Sequence, residues 1–205
     1  PRKGTSGGRS FIVSSSGPSE GKSTTCANLA ITYANLGKKT LIIEFDLRKP
    51  VMSQIFKIDN SLGITKTFID KKSSLKDQVQ QSDIPNLDVL CSGPVPPNPS
   101  EIIGHEELIE SVKLLQKDYD IILVDTPPIA PVTDTLQLAN IFDDFILVIR
   151  ANKTQKLVLD RSLKSLKNIN KPIQNCIVNE VSTNMSYGGY YYDSYNYYYA
   201  NEDED

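Results

Sequence analysis

The sequence has no apolar run long enough to cross a bilayer, no cysteine pair at metal-binding spacing, a single histidine and no excess of positive charge. Each absence removes a class of function. Without a long apolar run, no membrane-spanning segment is expected. Cys26, Cys91 and Cys176 are odd in number and far apart, with no CxxC that could hold zinc or an iron–sulfur cluster, so buried free thiols of a reducing cytosol are expected. His105 precedes an acidic helical stretch and has no second metal-type ligand at helical spacing, so it is not expected to be catalytic. A net charge of −3 and a pI near 5.3 give no general attraction to phosphate backbones, which argues against nucleic acid as a partner. The opening PRKGTSGGRS lacks the apolar core of a secretory signal.

What remains is an ordinary soluble composition, 23% charged and 39% hydrophobic, over 205 residues. That length suits one α/β domain rather than two. Residues 1–9 are expected to be a disordered lead-in or a cloning edge, 10–184 the domain, and 185–205 a flexible acidic tail rich in tyrosine. Short apolar runs alternate with helical patterns, as in βαβ units with a mainly parallel sheet. Strands are expected at Ser10–Ser14, Thr40–Phe45, Leu87–Leu90, Ile121–Asp125, Phe145–Ile149 and Ile173–Asn179. Lys22–Leu36 reads as a helix closed by Gly37, and Leu159, Leu163 and Leu166 share the apolar stripe of a later one.

FIVSSSGPSEGKSTT places a strand, a turn of small residues and then Gly21, Lys22 and Ser23 at a helix start. Backbone N–H groups and the helix dipole converge on an anion there, and glycine permits close approach. Lys22 is expected to neutralise the β- and γ-phosphates of ATP, Ser23 to bind Mg²⁺ and Thr24 to reach the α-phosphate. The GxxxxGK[ST] pattern asks for glycine at position 16; this chain has Ser16, with Gly17 beside it.

Two further runs, LIIEFDLRKP and IILVDTPP, end on acidic residues, which puts Glu44, Asp46 and Asp125 at the carboxyl edge of a parallel sheet, where ligands of such sheets bind. Phosphoryl transfer needs carboxylates there to hold Mg²⁺ and orient the attacking hydroxyl. Asp46 and Asp125 are the expected metal-side residues, and Glu44, two residues before Asp46, shares its face in an extended strand.

Eight of the ten tyrosines fall between Tyr187 and Tyr199: Tyr187, Tyr190, Tyr191, Tyr192, Tyr195, Tyr197, Tyr198 and Tyr199. Repeated tyrosine among Gly, Asn and Ser, without apolar periodicity, builds no packed core. Acidic surroundings also argue against a stacking platform for single-stranded nucleic acid, whose grooves are basic. Beside a phosphoryl-transfer site, these tyrosines are expected to be acceptors.

In SSSGPSEGKSTT, LIIEFDLRKP, IILVDTPP and the CSGPVPPNPSEII between the last two, the chain resembles the bacterial tyrosine kinases of capsule and exopolysaccharide synthesis from about Phe11 to Asn179 and into the tail. The resemblance implies a P-loop NTPase fold of the deviant-Walker, MinD/ParA-like kind, with ATP and Mg²⁺ as cofactors and autophosphorylation of the tail. It makes Lys22 and Ser23 nucleotide and Mg²⁺ contacts and Asp46 and Asp125 acidic members of the metal site. Glu44 stands where the family has an aspartate expected to accept the tyrosine proton, and the extra methylene points to altered activity. Gly17 and Gly21 belong to the nucleotide loop, Arg48 matches the arginine of the second motif, and Asn179 matches an adenine-edge position of related ATPases.

The resemblance also implies a membrane polysaccharide co-polymerase whose cytoplasmic tail activates the kinase, a cognate tyrosine phosphatase, a homo-oligomer, and a cytoplasmic location on the inner face of the membrane through the partner. The E-x-x-R-x-x-R helix with which such kinases close a ring is not found before Phe11, so a ring is not carried over. Two alternatives remain. A spatial-regulation or DNA-partition ATPase of the same superfamily would carry a second lysine five residues before Lys22, where this chain has Gly17. A non-catalytic nucleotide-binding adaptor is the other, suggested by Glu44 and by the lack of that helix before Phe11.

Overall fold

The computed structural model describes residues 8–70, 73–130, 133–171, 173 and 175–181. Strands β1 (Arg9–Ser15), β2 (Thr40–Glu44), β3 (Gln80–Gln81), β4 (Leu87–Leu90), β5 (Ile121–Asp125), β6 (Asp144–Arg150) and β7 (Asn175–Asn179) form one sheet in the order β3-β4-β2-β5-β1-β6-β7. Six of them run parallel, and β3 pairs antiparallel with β4 at one edge. Parallel strands covered on both faces must be apolar throughout rather than alternating. Ile12 and Val13, Leu41 to Ile43 and Ile122 to Val124 are accordingly all sealed from solvent.

The helices are α1 (Lys22–Asn35), α2 (Met52–Phe56), α3 (Lys66–Ile69), α4 (Pro99–Ile103), α5 (Glu106–Leu115), α6 (Asp134–Leu138) and α7 (Lys156–Asn168). On one face, α1 turns Cys26, Ala27, Ala30 and Ala34 toward Val13, Ile42, Leu123 and Val148. These small side chains let the helix axis lie close to the sheet, bringing its N-terminus over the strand ends. The other face packs larger residues, among them Phe45, Leu108, Val112, Phe142 and Leu166. α1 ends as expected: Gly37 takes a left-handed φ of 74°, and its N–H donates to the Ala34 carbonyl at 2.9 Å.

Register sets the functional edge. Glu44 of β2 and Val13 of β1 both pair with Asp125 of β5, so the loops after β1, β2 and β5 leave the sheet side by side. Three expectations are corrected. Cys176 lies exposed on edge strand β7, unlike buried Cys26 and Cys91. Leu163 leaves the α7 stripe and is 37% exposed, while Leu166 is sealed. The last strand starts at Asn175 rather than at residue 173. Among the described residues, no helix is long and apolar enough to cross a membrane.

Candidate active site

The loop after β1 turns into α1 through Gly21, whose φ of 92° suits glycine. A Cβ there would also collide with the Asn179 side-chain nitrogen from the end of β7. Asn179 Nδ2 donates to the Glu20 carbonyl at 2.9 Å and lies 3.4 Å from Thr25 Oγ1, so the end of β7 grips the loop from outside. Gly17 is the second loop glycine, and its N–H donates to the Glu20 carboxylate at 3.0 Å. Thr24 is exposed on the first turn of α1.

Lys22 points back into the acidic edge. Its Nζ lies 2.7 Å from Asp46 Oδ2 and 3.4 Å from Asp125 Oδ1, and it donates to Ser23 Oγ at 3.0 Å. The Ser23 hydroxyl in turn donates to Asp125 Oδ2 at 2.7 Å. Four residues expected at the site, drawn from the start of α1, the loop after β2 and the end of β5, therefore form one hydrogen-bonded group. Burial pushes the Asp125 carboxyl up to about 7, against the opposing pull of the Lys22 ammonium and the Ser23 hydroxyl. For Lys22, burial works to lower the pKa, but Asp125 and Asp46 outweigh it and the ammonium is raised above its ordinary value. Burial also lifts the neighbouring Cys26 thiol well above its usual range, which keeps it protonated.

Glu44 lies at the same edge but is engaged differently. Its Oε1 accepts the N–H groups of Val51 at 2.5 Å and Met52 at 2.7 Å, and its Oε2 accepts that of Ser92 at 3.1 Å. The side chain is fully buried. Burial raises its pKa, opposed by those three N–H groups. The extra methylene over aspartate gives it the reach to hold the start of α2 and the loop after β4 together. The structure thus does not bring Glu44 to the group as a free acceptor, and the proton-accepting role expected of it is not carried forward.

Arg48 also faces away from Lys22. Its guanidinium is held by Asp134 at 2.8 Å and donates to Ser100 Oγ at 3.1 Å, while the Ser100 hydroxyl donates to Asp134 at 2.7 Å. Asp134 is buried at the start of α6. Neither Asp134 nor Ser100 was expected at the site, although Ser100 lies within the CSGPVPPNPSEII run; the separations of 86 and 52 residues from Arg48 leave no periodicity to read. Glu20, Arg150 and Thr154 were missed as well, the first because it fills a wildcard position of the loop pattern. His105 stands at the N-cap position of α5 without a side-chain capping bond and stacks edge-on against Phe68 at 5.3 Å, away from the group. The eight expected acceptors from Tyr187 to Tyr199 lie outside the described residues, as do residues 1–7.

The donors around Lys22 are carboxylate and hydroxyl oxygens, the set that suits a hard divalent cation such as Mg²⁺. Among the described residues, no cluster of three or more His, Cys, Asp or Glu could hold a metal by itself. Two carboxylates and a hydroxyl fit a cation whose remaining ligands are water and phosphate.

Residues 17–180 match the family model described as an AAA domain. Over 184 residues the chain is 40% identical to the tyrosine-protein kinase YwqD of Bacillus subtilis, covering 89% of this chain and 77% of that one. It is 36% identical to the putative tyrosine-protein kinase CapB of Staphylococcus aureus, covering 90% and 80% of the two. Among solved structures, that of the chimerical protein CapA2B2 superposes with a TM-score of 0.80 at 30% identity, over 88% of this chain and 78% of that chain.

Proposed function

We propose that this chain, which belongs to the family of bacterial tyrosine-protein kinases, uses ATP and Mg²⁺ to phosphorylate the tyrosines of its own C-terminal segment and so regulates synthesis of a capsular or extracellular polysaccharide. The observation that carries this reading is the Lys22–Asp46–Asp125–Ser23 group. It gathers one ammonium, two carboxylates and one hydroxyl on the N-terminus of α1, and the ammonium and hydroxyl are held only by side chains that can exchange partners.

Lys22 turns from Asp46 and Asp125 to the β- and γ-phosphates, where its charge offsets that developing on the transferred group. Mg²⁺ supplies charge neutralisation and alignment of the phosphates when bound. Asp46, Asp125 and Ser23 offer the oxygens to hold it, and deprotonation of Asp125 accompanies that role. Gly17, Gly21 and Thr24 shape or flank the phosphate loop, and Asn179, which holds the Glu20 carbonyl, is the proposed contact to the base edge. Arg48, tied to Asp134 and Ser100, anchors the loop that carries Asp46. The acceptors proposed are Tyr187, Tyr190, Tyr191, Tyr192, Tyr195, Tyr197, Tyr198 and Tyr199, reached in trans from a neighbouring subunit of a homo-oligomer. A polysaccharide co-polymerase with a cytoplasmic tail is the proposed activator, which would place the kinase at the inner face of the membrane, and a tyrosine phosphatase would reset it.

Glu44, held by three backbone N–H groups rather than free to accept a proton, makes a non-catalytic nucleotide-binding adaptor the second reading. Gly17 continues to weigh against the partition-type ATPase. The test is to incubate the chain with ATP and Mg²⁺, with and without the partner's cytoplasmic tail, and to weigh it intact. Addition of phosphates confined to the segment after residue 184 is expected. No added phosphate under either condition would leave a nucleotide-binding switch or adaptor instead.

A further inference from the structure

The phosphate loop contains a carboxylate of its own. Glu20, one residue before Gly21, is 7% exposed, and its Oε2 accepts the N–H groups of Ser16 at 2.9 Å and Gly17 at 3.0 Å. Its Oε1 accepts the Thr154 hydroxyl at 2.6 Å, and Thr154 Oγ1 accepts the Arg150 N–H at 2.8 Å. Between Gly17 and Glu20 the chain passes through Ser19, a non-glycine residue at a left-handed φ of 59°. That conformation is strained for a residue with a Cβ and persists only where its surroundings hold it. The surroundings here are specific. Arg150 Nη1 donates to the Ser19 carbonyl at 3.2 Å, Asn179 Nδ2 donates to the Glu20 carbonyl, and the Glu20 carboxylate closes the turn from within.

We infer that Glu20 is a positioning residue for nucleotide: by taking the two N–H groups at the mouth of the loop and latching to Thr154, it holds the strained Ser19 turn in the form that receives phosphate. This rests on the functional reading above, in which the loop binds ATP. The arrangement also accounts for Ser16, since a backbone fixed by a side-chain acceptor does not require the glycine usual at that position. The opposite view is that Glu20 is a bystander charge. A carboxylate near a polyphosphate opposes binding, so its removal would then tighten the complex. The two views differ in sign.

The test uses the full chain and a fluorescent ATP analogue with Mg²⁺. If the loop without its brace is in the receptive form about one-tenth of the time, Glu20→Ala weakens affinity about tenfold. Ser19→Gly in the Glu20→Ala background should recover about threefold or more, because glycine takes positive φ without strain. Glu20→Gln, which keeps an acceptor oxygen for the two N–H groups, should stay within about threefold of the parent. In kinase assays, Glu20→Ala should raise KM for ATP while kcat at saturation stays within about twofold, the pattern of lost ground-state binding.

Equal or tighter nucleotide binding by Glu20→Ala would overturn the inference, as would a loss that Ser19→Gly cannot relieve. Amide exchange in the nucleotide-free chain decides the brace independently. Residues 16–23 should exchange faster in Glu20→Ala than in the parent, and unchanged exchange would contradict the brace. If the parent itself bound no nucleotide, that failure would fall on the functional reading, and exchange alone would still judge the brace.

Discussion

Glu44 and Asp46 stand two residues apart where β2 meets its loop, and both are buried, yet their surroundings differ in kind. Glu44 spends both oxygens on the backbone N–H groups of Val51, Met52 and Ser92. Asp46 gives one oxygen to the Lys49 N–H and the other to the Lys22 ammonium, which also faces Asp125. A backbone donor cannot leave without unravelling the chain, whereas a lysine or serine side chain can turn to a new partner at modest cost. The first carboxylate is therefore a fixture that shapes the loop, and the second belongs to a group that can reorganise around phosphate and metal. Burial alone does not distinguish them. The identity of the partner does.

The largest effect that sharpens this contrast is at Lys22. Lys22→Met should reduce phosphate incorporation about a hundredfold or more, as loss of a transition-state charge contact does. Its melting temperature should move by only a few degrees, because Asp125, already lifted to about 7, can take up a proton when the ammonium is gone. A large drop in melting temperature would mean that the group is a fixture after all.

Glu44→Ala is the complementary break. It leaves three buried N–H groups without their acceptor, a loss of about 3 kcal/mol or more in urea denaturation. Activity per folded molecule should fall much less than stability does. Full stability with lost activity would make Glu44 a reacting group and dissolve the distinction.

Arg48→Ala tests a third arrangement, in which a buried carboxylate depends on a cation that is 39% exposed. Solvent already screens that arginine, and Ser100 remains as a donor to Asp134, so the cost should be about 1–2 kcal/mol. Melting of the variant beside Asp134→Asn measures it. Equal stability of Arg48→Ala and the parent would show that Ser100 suffices.

These clusters were unequally legible. The strand–loop–helix run to Lys22 and the acidic ends of β2 and β5 are local signals, and the parallel register aligned them as the patterns implied. β3 was not foreseen because two glutamines in an edge pairing carry no apolar signature. The Arg48–Asp134–Ser100 cluster and the Glu20–Thr154 latch join residues 34 to 134 positions apart, where only the fold supplies adjacency. Glu44 shows a subtler limit: its type and position were read correctly, but its hydrogen-bond partners are main-chain groups that no side-chain pattern announces.

A pH dependence gives a further test. Asp125 is raised in the folded chain from the ordinary carboxylate range to about 7, so the fold binds its proton more tightly than the unfolded chain does. That contribution to stability is complete at acid pH and is lost as pH rises toward about 7. Melting curves of the metal-free chain between about pH 5 and about pH 8 should show it, and Asp125→Asn, with no proton to lose, should flatten that component. Parallel profiles for the two proteins would mean that Asp125 is not raised.

The most direct measurement sets Glu44→Gln beside Asp125→Asn and reads phosphate incorporated per folded chain, with ATP and Mg²⁺ saturating. A Glu44→Gln protein that melts lower but labels at close to the parent rate, and an Asp125→Asn protein that folds like the parent but labels little, is the predicted result. A Glu44→Gln protein that folds normally and fails to label, while Asp125→Asn labels like the parent, would contradict the assignment of fixture and reacting group.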